Sequence, residues 1–223
     1  PANISGMVAT PNDNQWFLTL ELTGLGRLGE ALSEVDGKPV YVFGGIPGET
    51  VVAEVIRERR GYFAAEVVEV LKPSPHRVEP PCPYFGACTG CQFQHISYER
   101  QLEMKREAVV DALVRIGELD GAVVGETLPS PEPLGYRNHA RFTISKPEPR
   151  PGRIGYVHRE KRQHVEVDRC LLMADWINEA VEKLQGNVAE TTQLSLRYGV
   201  NTGDWLLQPT FSEVGVPMAS GQK

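Results

Sequence analysis

Apolar and polar residues alternate in short runs along the first part of the chain: WFLTLEL from Trp16, GEALSEV from Gly29, PVYVFGG from Pro39, TVVAEVIRE from Thr50 and YFAAEVVEVL from Tyr62. In the fourth run Val51, Ala53 and Val55 alternate with Val52, Glu54 and Ile56, the period of two that sends successive side chains to opposite faces of a strand. Five such runs in under sixty residues, with turns at Asp36-Gly37 and Arg60-Gly61, predict a small, closed, OB-like five-stranded barrel.

Lys72 to Pro81, with four prolines in ten residues, reads as a stiff linker. In SYERQLEMKREAVVDALVRIG, apolar residues then recur at helical spacing. Ser97 is placed to cap this helix, Leu102, Val109, Leu113 and Ile116 to face inward, and Gly117 to end it. The strand pattern returns in RNHARFTIS from Arg137, RIGYVHR from Arg153 and QHVEVD from Gln163. A short helix over 174–184 and strands TQLSLRYG and DWLLQPTF follow. The fold class is therefore mainly β with α: a barrel over residues 1–72, a linker and cysteine loop over 73–96, and an α+β central domain over 97–223.

Gly24, Gly26 and Gly29 match the G-x-G-x-x-G dinucleotide fingerprint, which needs a crossover helix after it to supply amides for a pyrophosphate. Seven residues separate Gly29 from Gly37, too few for such a helix and a strand, so the glycines read as bends in a barrel strand that bind no nucleotide.

Composition adds little to the fold and something to the chemistry. The chain of 223 residues is 41% hydrophobic and 23% charged, and has no apolar run of membrane-spanning length. It begins without a signal or transit pattern, which leads us to expect a cytoplasmic protein with no membrane partner and a monomer. Its net charge of −6 speaks against a uniformly basic nucleic-acid binder, yet Tyr136 to Arg169 holds nine Lys or Arg against four Asp or Glu. That segment suits a polyanion.

Cys82, Cys88 and Cys91 form C-x5-C-x2-C, and Cys170 lies far downstream. Clustered thiols in a reducing compartment are metal ligands or redox groups more often than disulfides. Thiolates suit both tetrahedral zinc and a four-cysteine iron–sulfur cluster, and three ligands on one loop with a remote fourth is common for [4Fe-4S] clusters. The spacing leaves both open, with Pro83, Tyr84 and Phe85 available as apolar shielding.

The run FGGIPGETVVAEV, the passage from Leu71 to Val109 that contains the cysteines, and GYRNHARFTIS with the late Cys170 together resemble the RNA (uracil-C5)-methyltransferases. The likeness is to the branch with an N-terminal TRAM domain and an iron–sulfur cluster, most of all to the bacterial enzymes of 23S rRNA, and it covers Trp16 to Phe211. It implies that Cys82, Cys88, Cys91 and Cys170 bind a [4Fe-4S] cluster and that the barrel is a TRAM module that binds RNA. Where the family usually has Gly-Gly before the third cysteine, this chain has Thr89-Gly90.

Such enzymes also carry a Rossmann-like domain that binds S-adenosylmethionine and supplies a cysteine nucleophile and a general base. No segment here matches it, so no catalytic residue is assigned, S-adenosylmethionine is expected only in the full-length enzyme, and this chain is expected to be inactive alone.

For RNA contacts two stretches stand out. Arg57, Arg59 and Arg60 flank a hairpin turn beside Tyr62 and Phe63. Arg137, His139 and Arg141 share a strand face at period two, followed by Arg153, Arg159, Lys161 and Arg162. Competing readings are a zinc-stabilised protein-interaction module, an electron-transfer protein and a tRNA uracil-C5 methyltransferase part.

Overall fold

The computed structural model describes residues 7–9, 16–26, 29–88, 90–146, 151–158 and 161–211. It is mainly β-sheet with two α-helices, and the chain divides into two compact units, Pro1–Ser130 and Pro131–Lys223.

In the first unit β1 (Met7–Ala9), β2 (Trp16–Glu21), β3 (Gly24–Leu25), β4 (Ala31–Val35), β5 (Lys38–Phe43), β6 (Thr50–Arg59) and β7 (Tyr62–Lys72) form one sheet in the order β1-β2-β6-β7-β5-β4-β3. β5 and β7 run parallel, and the other pairs are antiparallel. β1 and the two-residue β3 are additions to the five predicted runs, the first of which is β2. Only Leu22 and Thr23 separate β2 from β3, although β2 lies beside β6 and β3 beside β4 at the far side of the order. The Thr23 amide donates to Leu32 O at 2.8 Å and Ser33 Oγ to Glu21 O at 2.9 Å, so the sheet curls back on itself. Three register shifts between β6 and β7 mark bulges, which increase local twist and help that curl. Inside lie Leu18, Leu20, Val40, Val51, Ala53 and Phe63, all at most 4% exposed.

The glycine motif folds as its spacing predicts. Gly24 begins β3, the Gly26 amide donates to Glu30 O at 2.6 Å, and β4 begins at Ala31. Gly29 has φ +91°, and a Cβ on it would stand 2.8 Å from Gln92 Cβ, so only glycine lets this turn lie against the segment after the cysteines.

The linker is tied down rather than free. Val78 N donates to His95 O at 3.0 Å and Ser97 N to His76 O at 2.8 Å. Helix α1 (Tyr98–Asp111) continues as a π-helical turn over Ala112–Ile116 that ends at Gly117. Two expectations need correction. Ser97 occupies the N-cap position, but its side chain makes no capping bond; Gln101 Nε2 instead holds the carbonyls of Phe93 and Ile96 at 3.0 and 2.9 Å. The helix buries Met104 against Ile46 and Ile96, whereas Val109 is 49% and Ile116 70% exposed. Its periodicity marks which residues are apolar; Leu102 and Leu113 of that stripe are half-buried, and among the described residues nothing buries Val109 or Ile116.

In the second unit β8 (His139–Ser145), β9 (Arg153–Val157), β10 (His164–Glu166), β11 (Thr191–Tyr198) and β12 (Trp205–Phe211) form an antiparallel sheet in the order β10-β9-β8-β11-β12. Helix α2 (Asp175–Leu184) packs Ile177 and Val181 on one face of it, over Phe142, Ile144, Leu194 and Leu196. Alternation along β8 buries Ala140, Phe142 and Ile144 there and turns His139 and Arg141 to the other face.

Candidate cysteine loop and nucleic-acid interface

Two successive turns shape the cysteine loop: Phe85 N donates to Cys82 O at 3.1 Å, and Cys88 N to Tyr84 O at 2.7 Å. None of the four cysteines is in a disulfide, and all are half-buried. Gln94 Nε2 donates to Cys91 Sγ at 3.1 Å, the kind of contact that stabilises a thiolate or a thiolate ligand. The other end of that amide, Gln94 Oε1, and His95 Nδ1 are buried with no hydrogen-bond partner among the described residues. Phe85, one of the three apolar residues of the loop, lies against the His95 ring with centroids 5.2 Å apart.

Behind the loop sits a buried ion pair that no pattern announced. Glu49 is 1% exposed and accepts from Ile46 N at 2.9 Å, Ser74 N at 3.0 Å and Arg77 Nε and Nη2 at 2.6 Å each. Burial pushes its carboxyl up, but the bonds from Arg77 and the two amides, with the nearby guanidinium charge, outweigh it and hold the group below its usual value. Arg77 Nη2 also donates to Gly44 O at 2.8 Å, so one side chain fastens the linker to the β5–β6 connection. His95, 1% exposed with Nε2 3.2 Å from Gly45 O, is held down to about 4, chiefly by burial.

In the second unit Asn178 grips Cys170 by its backbone: Cys170 N donates to Asn178 Oδ1 at 2.9 Å, and Asn178 Nδ2 donates to Cys170 O at 3.2 Å. Asn178 was missed in the sequence, although a polar residue on the apolar face of a short helix was the available signal. Within the loop of the first unit the donors have soft-metal chemistry: three thiols, none spent in a disulfide, one already receiving an N–H. Among the described residues, however, no group of three His, Cys, Asp or Glu side chains is arranged to hold a metal ion.

The candidate RNA residues fall into three situations. Arg59 and Arg60 are exposed at the β6–β7 hairpin, where Arg59 pairs with Tyr62, while Arg57 is half-buried. Of the two aromatics beside them Phe63 is buried under Lys38 Nζ, 3.7 Å from the ring centre, and Tyr62 is exposed edge-on to Tyr41 at 5.4 Å. His139 and Arg141 stand on the sheet face away from α2, and Arg137 precedes the strand, bonded through its backbone to Leu172 and Ala174. Arg153 is paired with Glu166, which neutralises its charge, whereas Lys161 and Arg162 are exposed in the β9–β10 connection. Arg159 lies outside the described residues.

No family model matches the chain. An uncharacterized RNA methyltransferase of Synechocystis is 29% identical over 212 residues, covering 89% of this chain and 46% of that protein. One from Aquifex aeolicus is 36% identical over 173 residues, covering 78% of this chain and 39% of its own length. The 23S rRNA (uracil(1939)-C(5))-methyltransferase RlmD of Alkalilimnicola ehrlichii is 35% identical over 167 residues, covering 74% and 37%. The fold is shared with the crystal structure of the Pyrococcus abyssi tRNA (uracil-54, C5)-methyltransferase in complex with S-adenosyl-L-homocysteine. That match has a TM-score of 0.60 at 23% identity and covers 90% of this chain and 47% of that one. The chain thus spans less than half the length of the curated relatives it matches, and those homologues are RNA methyltransferases.

Proposed function

We propose that this chain is the RNA-binding, [4Fe-4S]-bearing part of an S-adenosylmethionine-dependent RNA (uracil-C5)-methyltransferase that acts on 23S rRNA. The observation that carries the reading is an exposed basic strand face, His139 and Arg141, on a chain of net charge −6 whose homologues are RNA methyltransferases. The curled sheet of the first unit supports a closed OB-like barrel of the TRAM kind, with Arg59, Arg60 and Tyr62 at its hairpin as contacts for phosphate and base. Guanidinium groups pair with phosphate through two donors at once and stack on unpaired bases, which suits holding a loop whose target base is turned out.

Cys82, Cys88, Cys91 and Cys170 would hold the cluster, whose contribution is a structural tie between the cysteine loop and the segment that carries the basic strands. Gln94 supports a thiolate at Cys91, and Asn178 fixes the backbone at Cys170. Iron, zinc and acid-labile sulfide measured on protein purified without oxygen test this. About four irons and four sulfides per chain are expected. One zinc and no sulfide would overturn the cluster and favour a zinc-stabilised interaction module.

A further inference from the structure

We infer that the face running from β8 across β11 to β12, polar apart from Leu206 opposite Arg197, is a track for unpaired RNA, with Arg197 as a contact residue and Gln193 as the residue that positions Arg141. This rests on the RNA reading above and names the part of the surface that does the binding.

Register carries the inference. Across the antiparallel ladders His139 stands opposite Arg197 and Arg141 opposite Ser195, and Ser195 in turn opposite Gln208 of β12. Residues directly opposite on neighbouring strands share a face, so Arg197, fifty-odd positions from His139 in sequence, joins the row that holds His139 and Arg141. Arg197 is exposed. Among the described residues no ion pair occupies it. Arg141 Nε donates to Gln193 Oε1 at 3.0 Å, and Nη2 donates to the same oxygen. Of five guanidinium donors this leaves an outward set, held in one orientation before any ligand arrives.

Charge supports a polyanion. The chain has 29 Asp and Glu, yet no β8, β11 or β12 position on this face is a carboxylate. The neighbours of the cations decide which polyanion. Ser195, Gln193 and Gln208 offer hydroxyl and amide groups, which both donate and accept and so suit base edges and the 2′-hydroxyl, whereas an acidic peptide would need pockets for side chains. Three strands span about 10 Å and successive same-face residues stand about 7 Å apart, a flat strip that splayed nucleotides can cover and a cylindrical duplex touches only along a line.

The test is fluorescence anisotropy of the full chain with a labelled, unpaired RNA oligonucleotide over a range of salt. Arg197→Glu should weaken binding about tenfold and lower the logarithmic salt slope by about one. Lys183→Glu makes the same charge change on α2, over the opposite face of the sheet, and should stay within about twofold. Arg197→Gln, a milder change, should give an intermediate loss with an unaltered circular dichroism spectrum. Gln193→Ala should cost about threefold with Arg141 present and nothing in an Arg141→Ala background. Equal losses for Arg197→Glu and Lys183→Glu, equal affinity for a duplex, or equal displacement by polyglutamate would overturn the track and leave RNA binding elsewhere intact. No RNA binding by the unsubstituted chain would overturn both readings.

Discussion

Glu49 and His95 make the first unit sensitive to acid by two routes with one sign. His95 titrates near 6.5 in an unfolded chain and about 4 here, so as pH falls below 6.5 the unfolded state takes up the proton first and folding weakens. Glu49 is depressed below its ordinary 4.5, so its contribution is complete above that pH and is lost as pH falls through the folded value. Amide-exchange protection of Val51 and Ala53, both in the buried β6 core, should therefore stay flat above pH 6.5. It should then fall by the order of 3 kcal/mol between pH 6.5 and 4, the His95 contribution. His95→Gln should remove most of the slope in that window; an unchanged slope would mean that other groups set it. None of this was legible in sequence. Glu49 sits in an ordinary Gly-Glu-Thr turn, and only the fold brings Ile46, Ser74 and Arg77 to its carboxylate. His139 and Arg141 were legible as a shared face because period two is local, whereas Arg197 needed the register of a second strand.

Elements were easier to read where both sides of the pattern find a partner. The strand runs of both units appear close to their expected positions because alternation records burial directly. The spacing of α1 matches the helix, yet Val109 and Ile116 of its apolar stripe are exposed, because amphipathicity says nothing of whether a neighbour covers it. A tighter constraint lies in β9. Gly155 sits between Thr143 of β8 and Glu166 of β10, and a Cβ there would collide with Val165 O, a backbone atom locked in the ladder. Gly155→Ala should destabilise the second unit by at least about 2 kcal/mol, well beyond the usual surface substitution. Urea unfolding followed through Trp176 and Trp205, which stack with Tyr198 in that unit, reads it; a change within about 0.5 kcal/mol would mean that β10 moves aside at little cost.

On the scale of the whole chain, the two units each hold their own core, and the proposed cluster draws three ligands from one and the fourth from the other. Separate cores joined by an exposed segment unfold independently unless something couples them, and the proposed four-thiolate centre would be such a coupling. Calorimetry of metal-free protein should accordingly show two transitions, and reconstitution with iron and sulfide should merge them into one at higher temperature. Cys170→Ser should keep the two transitions after reconstitution, because the remaining three ligands all belong to the first unit. Gln94→Leu, which removes the N–H on Cys91 and leaves every thiol in place, should merge the transitions with a cluster that is lost faster to a chelator. If Cys170→Ser merges them as the unsubstituted chain does, Cys170 is not a ligand. The downstream cysteine then answers to Asn178 and the packing of α2 alone.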